Sequence, residues 1–259
     1  MMTSPFRPDL LADRVALVTG ASSGLGRHFA EVLAAHGAAV ACCARRREKL
    51  SETVDAITAT GGQALAVEMD VTDRDSVADA FETADRAFGQ VTVLINNAGM
   101  ASTDRAIDLD PAVWDQTLAT NLTGAWTVAQ RAAKDMVAAG RPGTIVNIAS
   151  VLGLRQAGGV LPYAVSKAGL VQMTKSLALE WARHKIRVNA LAPGYIETDL
   201  NRDFLESEGG QTLMKRIPQR RFGKPEDLDG ALLLLASDAS DFMTGEVVAV
   251  DGGHLVNTL

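Results

Sequence analysis

Tyr163 and Lys167 stand four residues apart, and Ser150 precedes the tyrosine by thirteen. In a helix that spacing stacks phenol and ammonium on one face, within reach of a shared partner. A free phenol titrates near ~10 and exchanges protons poorly at neutral pH. A fixed positive charge beside it favours the phenolate, making an acid and base usable near neutrality. A nearby serine hydroxyl can hydrogen-bond the oxygen of a carbonyl or an alcohol. Alone the triplet is weak, because Tyr-x-x-x-Lys also arises in helices where a half-buried phenol lies beside a solvated lysine.

A second signal lies near the other end of the chain. Arg14–Thr19 is a short apolar run rich in β-branched residues, the pattern of a buried parallel strand. Thr19-Gly20-Ala21-Ser22-Ser23-Gly24-Leu25-Gly26 follows, then an amphipathic helix over Arg27–His36. Strand, glycine turn and helix together form a phosphate-binding start. Gly20 allows the tight turn, Gly24 and Gly26 allow close backbone approach, and the helix N-terminus offers free amides to a pyrophosphate. The spacing is G-x-x-x-G-x-G rather than the general G-x-G-x-x-G. An ordinary glycine-rich turn is the bland alternative, which both flanking elements disfavour.

These sites need a scaffold, and the chain alternates strand and helix patterns throughout. Strands are expected at 38–43, 64–69, 91–95, 144–148, 186–191 and 246–250. Helices are expected at 46–60, from a Thr72 cap to Phe88, from Pro111 to about Ala139, through Tyr163 and Lys167 to about Lys185, and from Pro225. Such alternation predicts an α/β fold of three layers, a doubly wound parallel sheet of Rossmann type. Ligands there bind outside the carboxyl ends of the strands, and Gly20, Asn97, Ser150 and Pro193 all follow strand ends. No linker or repeat divides the 259 residues, so one domain over 1–259 is expected.

Composition removes several classes. A net charge of −6 argues against general nucleic-acid binding. No apolar signal core opens the chain and no stretch approaches a membrane span, so a cytoplasmic protein is expected. The two cysteines, Cys42 and Cys43, are adjacent in a strand pattern and would point to opposite faces, which disfavours a disulfide between them. The four histidines show no metal-ligand spacing, so no metal is assigned. Trp114, Trp126 and Trp181 fall on helices and read as packing.

The motifs together resemble the short-chain dehydrogenase/reductase family: Thr19-Gly20-x-x-x-Gly24-x-Gly26, Asp70-Val71, Asn96-Asn97-Ala98-Gly99, Asn121, Ser150, Tyr163-x-x-x-Lys167 and Pro193-Gly194. They run from about residue 13 to 253 in the family's order and spacing. The resemblance implies that Tyr163 exchanges the proton with the substrate oxygen. It implies that Lys167 lowers the phenol's pKa and holds the nicotinamide ribose, that Ser150 polarises the carbonyl, and that Asn121 supports a relay water. Asn97 and Ile196 would line the nicotinamide half. Asp70 would bind the adenine amino group with Val71 packed beside it. Gly20, Ser22, Ser23, Gly24, Leu25, Gly26, Ala98, Gly99, Pro193, Gly194 and Thr198 would complete the cofactor cleft. Asn96 reads as structural, tying neighbouring strands. A homotetramer is implied, as is a substrate flap over about 195–222.

At the end of the second strand an acid would bind the ribose 2′-hydroxyl of NAD. Here Ala44 stands there, followed by Arg45-Arg46-Arg47. Guanidinium groups bind phosphate by charge and fork geometry, so NADP is expected, with Arg45 the leading contact and Arg46 second. Ser23, where many NADP-preferring relatives carry a basic residue, pulls the other way and keeps NAD open.

The sequence looks most like bacterial 3-oxoacyl-(acyl-carrier-protein) reductases and related ketoreductases. That resemblance implies a ketone or secondary-alcohol substrate, free or linked to coenzyme A or a carrier protein. Arg141, Arg183, His184 and Lys185 could dock an acidic carrier, yet Val137–Gly140 lacks the lysines often found there. A polyol, sugar or hydroxysteroid-type dehydrogenase using NAD fits nearly as well. A non-catalytic dinucleotide sensor is a further alternative, disfavoured because Asn121, Ser150, Tyr163 and Lys167 are all retained.

Overall fold

Val15–Thr19 forms the first strand, β1, in the computed structural model, which describes residues 6–198 and 201–256. The others are β2 (Ala39–Ala44), β3 (Gln63–Glu68), β4 (Val93–Asn96), β5 (Gly143–Ile148), β6 (Ile186–Pro193) and β7 (Val247–Val250). All pair in parallel, in the order β3-β2-β1-β4-β5-β6-β7. The chain reverses its direction of travel across the sheet between β1 and β4. That switch point opens a crevice at the strands' carboxyl ends.

Period-two alternation sends successive residues of each strand to opposite faces. Ala16 and Val18 of β1 join one core, with Phe29 and Leu33 of α1 (Gly24–Ala35), Leu50 and Ile57 of α2 (Arg47–Ala59), and Leu232, Leu233 and Leu235 of α9 (Asp229–Ala236). Val15 and Leu17 join the other. There they meet Val77 and Phe81 of α3 (Arg74–Phe88), Val128 and Met136 of α5 (Ala125–Ala138), and Leu177 of α6 (Leu161–Trp181). Burying each such side chain contributes about 1.5–3 kcal/mol, which fixes the sheet as a platform for the residues at its rim. Cys42 and Cys43 fall in different cores, both as free thiols. Burial pushes the Cys42 thiol up to about 12 and Cys43 well above its ordinary value.

Three expectations are corrected. The first helix begins at Gly24, inside the glycine loop, rather than at Arg27. Asp73, not Thr72, caps α3, accepting from the amides of Asp75 (2.9 Å) and Ser76 (3.4 Å). Thr72 lies one residue further from the helix, and its hydroxyl donates to Asp70 at 2.7 Å. The helix expected from Pro111 to Ala139 is interrupted: α4 (Pro111–Leu118) leads into a π-helical turn over Ala119–Gly124 before α5. Gly124 sits where a Cβ would come within 2.8 Å of Val71 Cγ2. The interrupted helix thereby presses on the end of β3, and Asn121 is carried on the wide turn.

After β6 the chain makes two short helices, α7 (Arg202–Glu206) and α8 (Glu208–Met214). Leu205, Ile217 and Phe222 form a small core there, with Tyr195, Leu213 and Met214 packed against it. This is the segment, about 195–222, for which a substrate flap is expected from sequence; residues 199 and 200 within it lie outside the described residues. No helix among the described residues is long and apolar enough to cross a membrane.

Candidate active site

The nucleotide half is built at the ends of β1 to β4. Gly20 has φ +69° and Gly24 φ +53°, backbone that side chains rarely adopt. A Cβ on Gly26 would overlap the Gly20 carbonyl oxygen and the Asn97 amide, so only glycine lets α1 start this close to the loop. Ser23 occupies the N-cap of α1 without a side-chain hydrogen bond, and the first turn has no acid. The amides of Gly24, Leu25 and Gly26 therefore meet no competing side-chain acceptor, and the end of the helix suits a pyrophosphate. Ser22 is buried behind them. Thr19 ties the loop to β4: its hydroxyl accepts from the amides of Asn97 (2.9 Å) and Ala98 (2.8 Å). Asn97 Nδ2 donates back to the Thr19 carbonyl at 3.0 Å. Asn96 donates to Asn147 Oδ1 at 3.0 Å and to the Ala125 carbonyl at 2.9 Å, a structural tie across β4, β5 and α5.

Arg45 and Arg46 are exposed at the end of β2. Asp70, beyond β3, accepts from the amide (2.9 Å) and hydroxyl (2.7 Å) of Thr72. The Thr72 amide chiefly, then its hydroxyl and the charge of Arg45, hold the Asp70 carboxyl below its usual value against burial. Val71 is buried beside it. Adenine-sized and phosphate-sized chemistries thus have an anion, an apolar wall and two guanidiniums at adjoining strand ends, an arrangement that fits a nicotinamide dinucleotide.

The other half is built at β5 and α6. Ser150 caps a single 3-10 turn, Val151–Gly153, accepting from the Leu152 amide at 3.1 Å. Its hydroxyl is also near enough to the phenol of Tyr163 to pull its titration down. Lys167 is buried one turn further along α6, and its Nζ donates to the Ile148 carbonyl at 2.6 Å. The ammonium lies 5.6 Å from the centroid of the Tyr163 ring. Burial pulls Lys167 down to about 8. Burial pushes the Tyr163 phenol up, Ser150 pulls it back, and neighbouring Tyr195 adds to the rise. The expected downward shift of the phenol is therefore absent from the chain by itself: Lys167 bonds a backbone carbonyl rather than the phenolic oxygen. Its charge, retained below about pH 8, still favours whatever anion forms at Tyr163.

Asn121 is wholly engaged through its side chain. Oδ1 accepts from the Met100 amide at 2.8 Å, and Nδ2 donates to the Met100 carbonyl at 2.8 Å and to Ser166 Oγ at 3.0 Å. Ser166 in turn donates to the Tyr163 carbonyl at 2.7 Å. Asn121 thus locks the loop beyond Gly99 onto the helix that carries the tyrosine.

Pro193 and Gly194 close β6, where a Cβ on Gly194 would come within 2.7 Å of Asp251 Cα. Asn201, which the sequence did not single out, clamps the start of the flap. Its Oδ1 accepts from the Thr198 amide (2.9 Å) and hydroxyl (3.2 Å), and its Nδ2 donates to the Ile196 carbonyl (2.8 Å). Thr198 Cγ2 lies 4.0 Å from where a Gly24 Cβ would stand, so the flap's root meets the glycine loop. The cofactor and catalytic candidates follow the carboxyl ends of the strands and lie along one edge, whereas Arg141, Arg183, His184 and Lys185, offered above as a carrier-docking patch, immediately precede β5 and β6 at the opposite, amino-terminal edge. Ser166 and Tyr195 were missed; only the three-residue offset of Ser166 from Tyr163 hinted at either.

The comparisons agree with this geometry. A family model described as enoyl-(acyl carrier protein) reductase matches residues 20–254. The 3-oxoacyl-(acyl-carrier-protein) reductase FabG of Thermotoga maritima is 38% identical, over 95% of this chain and 99% of its own. The gluconate 5-dehydrogenase of Gluconobacter oxydans is also 38% identical, over 96% of this chain and 98% of its own. A crystal structure of a gluconate 5-dehydrogenase from Burkholderia cenocepacia, in complex with NADP and tartrate, superposes with a TM-score of 0.92 at 35% identity, covering 97% of this chain and 98% of that one. The chain belongs to the short-chain dehydrogenase/reductase family, oxidoreductases that act on alcohol and carbonyl groups with a nicotinamide cofactor.

Proposed function

We propose that this chain is an NADP(H)-dependent oxidoreductase that interconverts a ketone and a secondary alcohol, with Tyr163 as the acid and base. The observation that carries the reading is the joint placement of Ser150, Tyr163 and Lys167: the serine near enough to act on the phenol, the buried ammonium 5.6 Å from its ring, all at the carboxyl edge of the sheet. The nicotinamide supplies or takes up the hydride. The chain's own residues handle the oxygen. Ser150 and Tyr163 both donate to the carbonyl oxygen, holding it where charge develops. As that oxygen becomes an alkoxide, the Tyr163 proton moves onto it, and the phenolate left behind faces Lys167. A phenol held above its ordinary value still yields a proton to the more basic alkoxide. In oxidation the same proton returns.

NADP over NAD is supported by Arg45 and Arg46, by Ala44 in place of an acid, and by the NADP bound in the Burkholderia relative. Relatives acting on acyl thioesters and on gluconate are equally identical, so likeness alone does not choose between a 3-oxoacyl thioester and a sugar-type substrate. The test is Tyr163→Phe. It keeps the ring and removes the exchangeable proton, so turnover with NADPH and a ketone panel should fall at least ~10²-fold while NADPH still binds. Near-normal turnover in the folded variant would refute the assignment.

A further inference from the structure

Two guanidinium groups beside the reacting edge have no carboxylate partner among the described residues. Arg155 follows Ser150 in the loop leading into α6, and its Nη1 donates to the His254 carbonyl at 3.1 Å. The His254 ring lies against Tyr195, with centroids 5.5 Å apart, and Tyr195 is close enough to Tyr163 to shift its titration. Arg216, from the flap, acts on the same imidazole, and with Tyr195, Phe204 and Leu213 it lines a cavity of about 480 Å³. Neither arginine forms a salt bridge among the described residues. The acid that acts on His254 is Asp251, and both its oxygens are taken by backbone, the amides of Gly253 (2.8 Å) and Leu255 (2.7 Å). His254 Nδ1 is buried and has no hydrogen-bond partner.

We infer that Arg155, with Arg216 across the His254–Tyr195 stack, recognises a carboxylate on the substrate, which is therefore a compact hydroxy acid or oxo acid. This rests on the oxidoreductase reading of the same site. The reacting carbon lies at Tyr163 and the carboxylate at Arg155, with Phe204 and Leu213 covering the carbon skeleton between flap and sheet. The oxygens of Asp251 are held by backbone amides, which leaves the two guanidiniums free to take an anion. A guanidinium fork also fits a carboxylate in two parallel hydrogen bonds. Burial and the two arginines hold His254 below its ordinary value, so at neutral pH it is an uncharged ring with hydrogen-bonding capacity at Nδ1 rather than a third cation. Glu208, which lines the flap cavity, is exposed on α8 and is not among the charges acting on His254. A long neutral acyl chain in the same place would leave both arginines unpaired.

The test uses the full chain loaded with NADPH, titrated calorimetrically with cyclohexanecarboxylate and with its uncharged isostere, cyclohexanecarboxamide. Wild type should bind the acid about 10- to 150-fold more tightly than the amide, the range of a charge-assisted contact. Raising the salt concentration should narrow that ratio. Arg155→Gln should bring it close to one. Arg216→Gln should lower it by less, and because Arg216 makes no side-chain hydrogen bond here, that variant keeps the test sound if Arg155→Gln disturbs the turn at His254. Equal binding of acid and amide by wild type, or a preference that survives both substitutions, overturns the inference. Oxidation of 4-hydroxycyclohexanecarboxylate and 4-hydroxycyclohexanecarboxamide is scored separately. Equal turnover of the two sinks carboxylate recognition and leaves the oxidoreductase reading standing. Carboxylate binding without any Tyr163-dependent turnover does the reverse.

Discussion

Lys167→Met removes a buried ammonium that burial has pulled down to about 8. An unfolded lysine titrates near ~10.4, so the difference of roughly two and a half units corresponds to about 3 kcal/mol. The sign follows from proton counting. Below pH 8 both states hold the proton, and the folded state bears the whole penalty. Between 8 and ~10.4 the unfolded chain keeps a proton that the folded one has released, so stability rises with pH. At pH 10 under about 1 kcal/mol of the penalty is left. Methionine has similar volume, and its substitution leaves the Ile148 carbonyl without its donor at 2.6 Å, a loss of about 1–3 kcal/mol at every pH. The variant should therefore equal or exceed wild type in stability at pH 7 and fall below it at pH 10. The difference between the two proteins should move by about 2–3 kcal/mol. Cys42 and Cys43, both held neutral by burial, weaken the fold in alkali, but equally in both proteins, so they cancel in the difference. Urea unfolding of cofactor-free protein from pH 7 to pH 10 measures it. A difference constant to within about 0.5 kcal/mol would refute the depressed titration of Lys167. Turnover of the variant should be lost throughout, separating stability from function at one residue.

Arg45→Ala should weaken NADPH about 10- to 150-fold and barely change NADH, because only the former carries a phosphate for the guanidinium. Comparing kcat/KM for the two cofactors decides it, and equal weakening of both would reduce the arginine run to a solvated turn. We also expect a homotetramer. Leu161, Val165 and Leu179 are 40%, 39% and 83% exposed along one side of α6, apolar surface that a second copy would cover. Light scattering at micromolar concentration should give four chains; a monomer mass rejects the assembly.

The fold was legible because its signals are local and repetitive. Buried strands read as β-branched runs, helices as amphipathic stretches, and their alternation leaves few topologies open. Gly20, Gly24 and Gly26 mark the nucleotide turn, since their spacing between strand and helix is itself the constraint. Ser150, Tyr163 and Lys167 were found by residue type and offset. Helix boundaries were less legible. Asp73 and Thr72 are both good caps by type, and only the residue at which helical backbone begins, Arg74, decides between them.

Distant contacts were beyond the sequence. The π turn at Ala119–Gly124 has no local signature; it goes with the Asn121 clamp on Met100 and Ser166 and with the approach of Gly124 to Val71. The titration of Tyr163 and Lys167 likewise depends on burial between elements far apart in the chain: the phenol expected to be lowered by the lysine is raised, and the lysine bonds the Ile148 carbonyl. Arg155, Tyr195, Arg216 and His254 come from four separate segments, and no offset links them. The sequence alone determined the sheet and the glycine loop and singled out Tyr163 as the candidate proton exchanger, because each is written in spacing along one stretch of chain. The environment that sets the charge of those residues, and the groups that face the substrate, was decided only in three dimensions. Desolvation and charge proximity depend on what folding brings near, and sequence distance does not encode that.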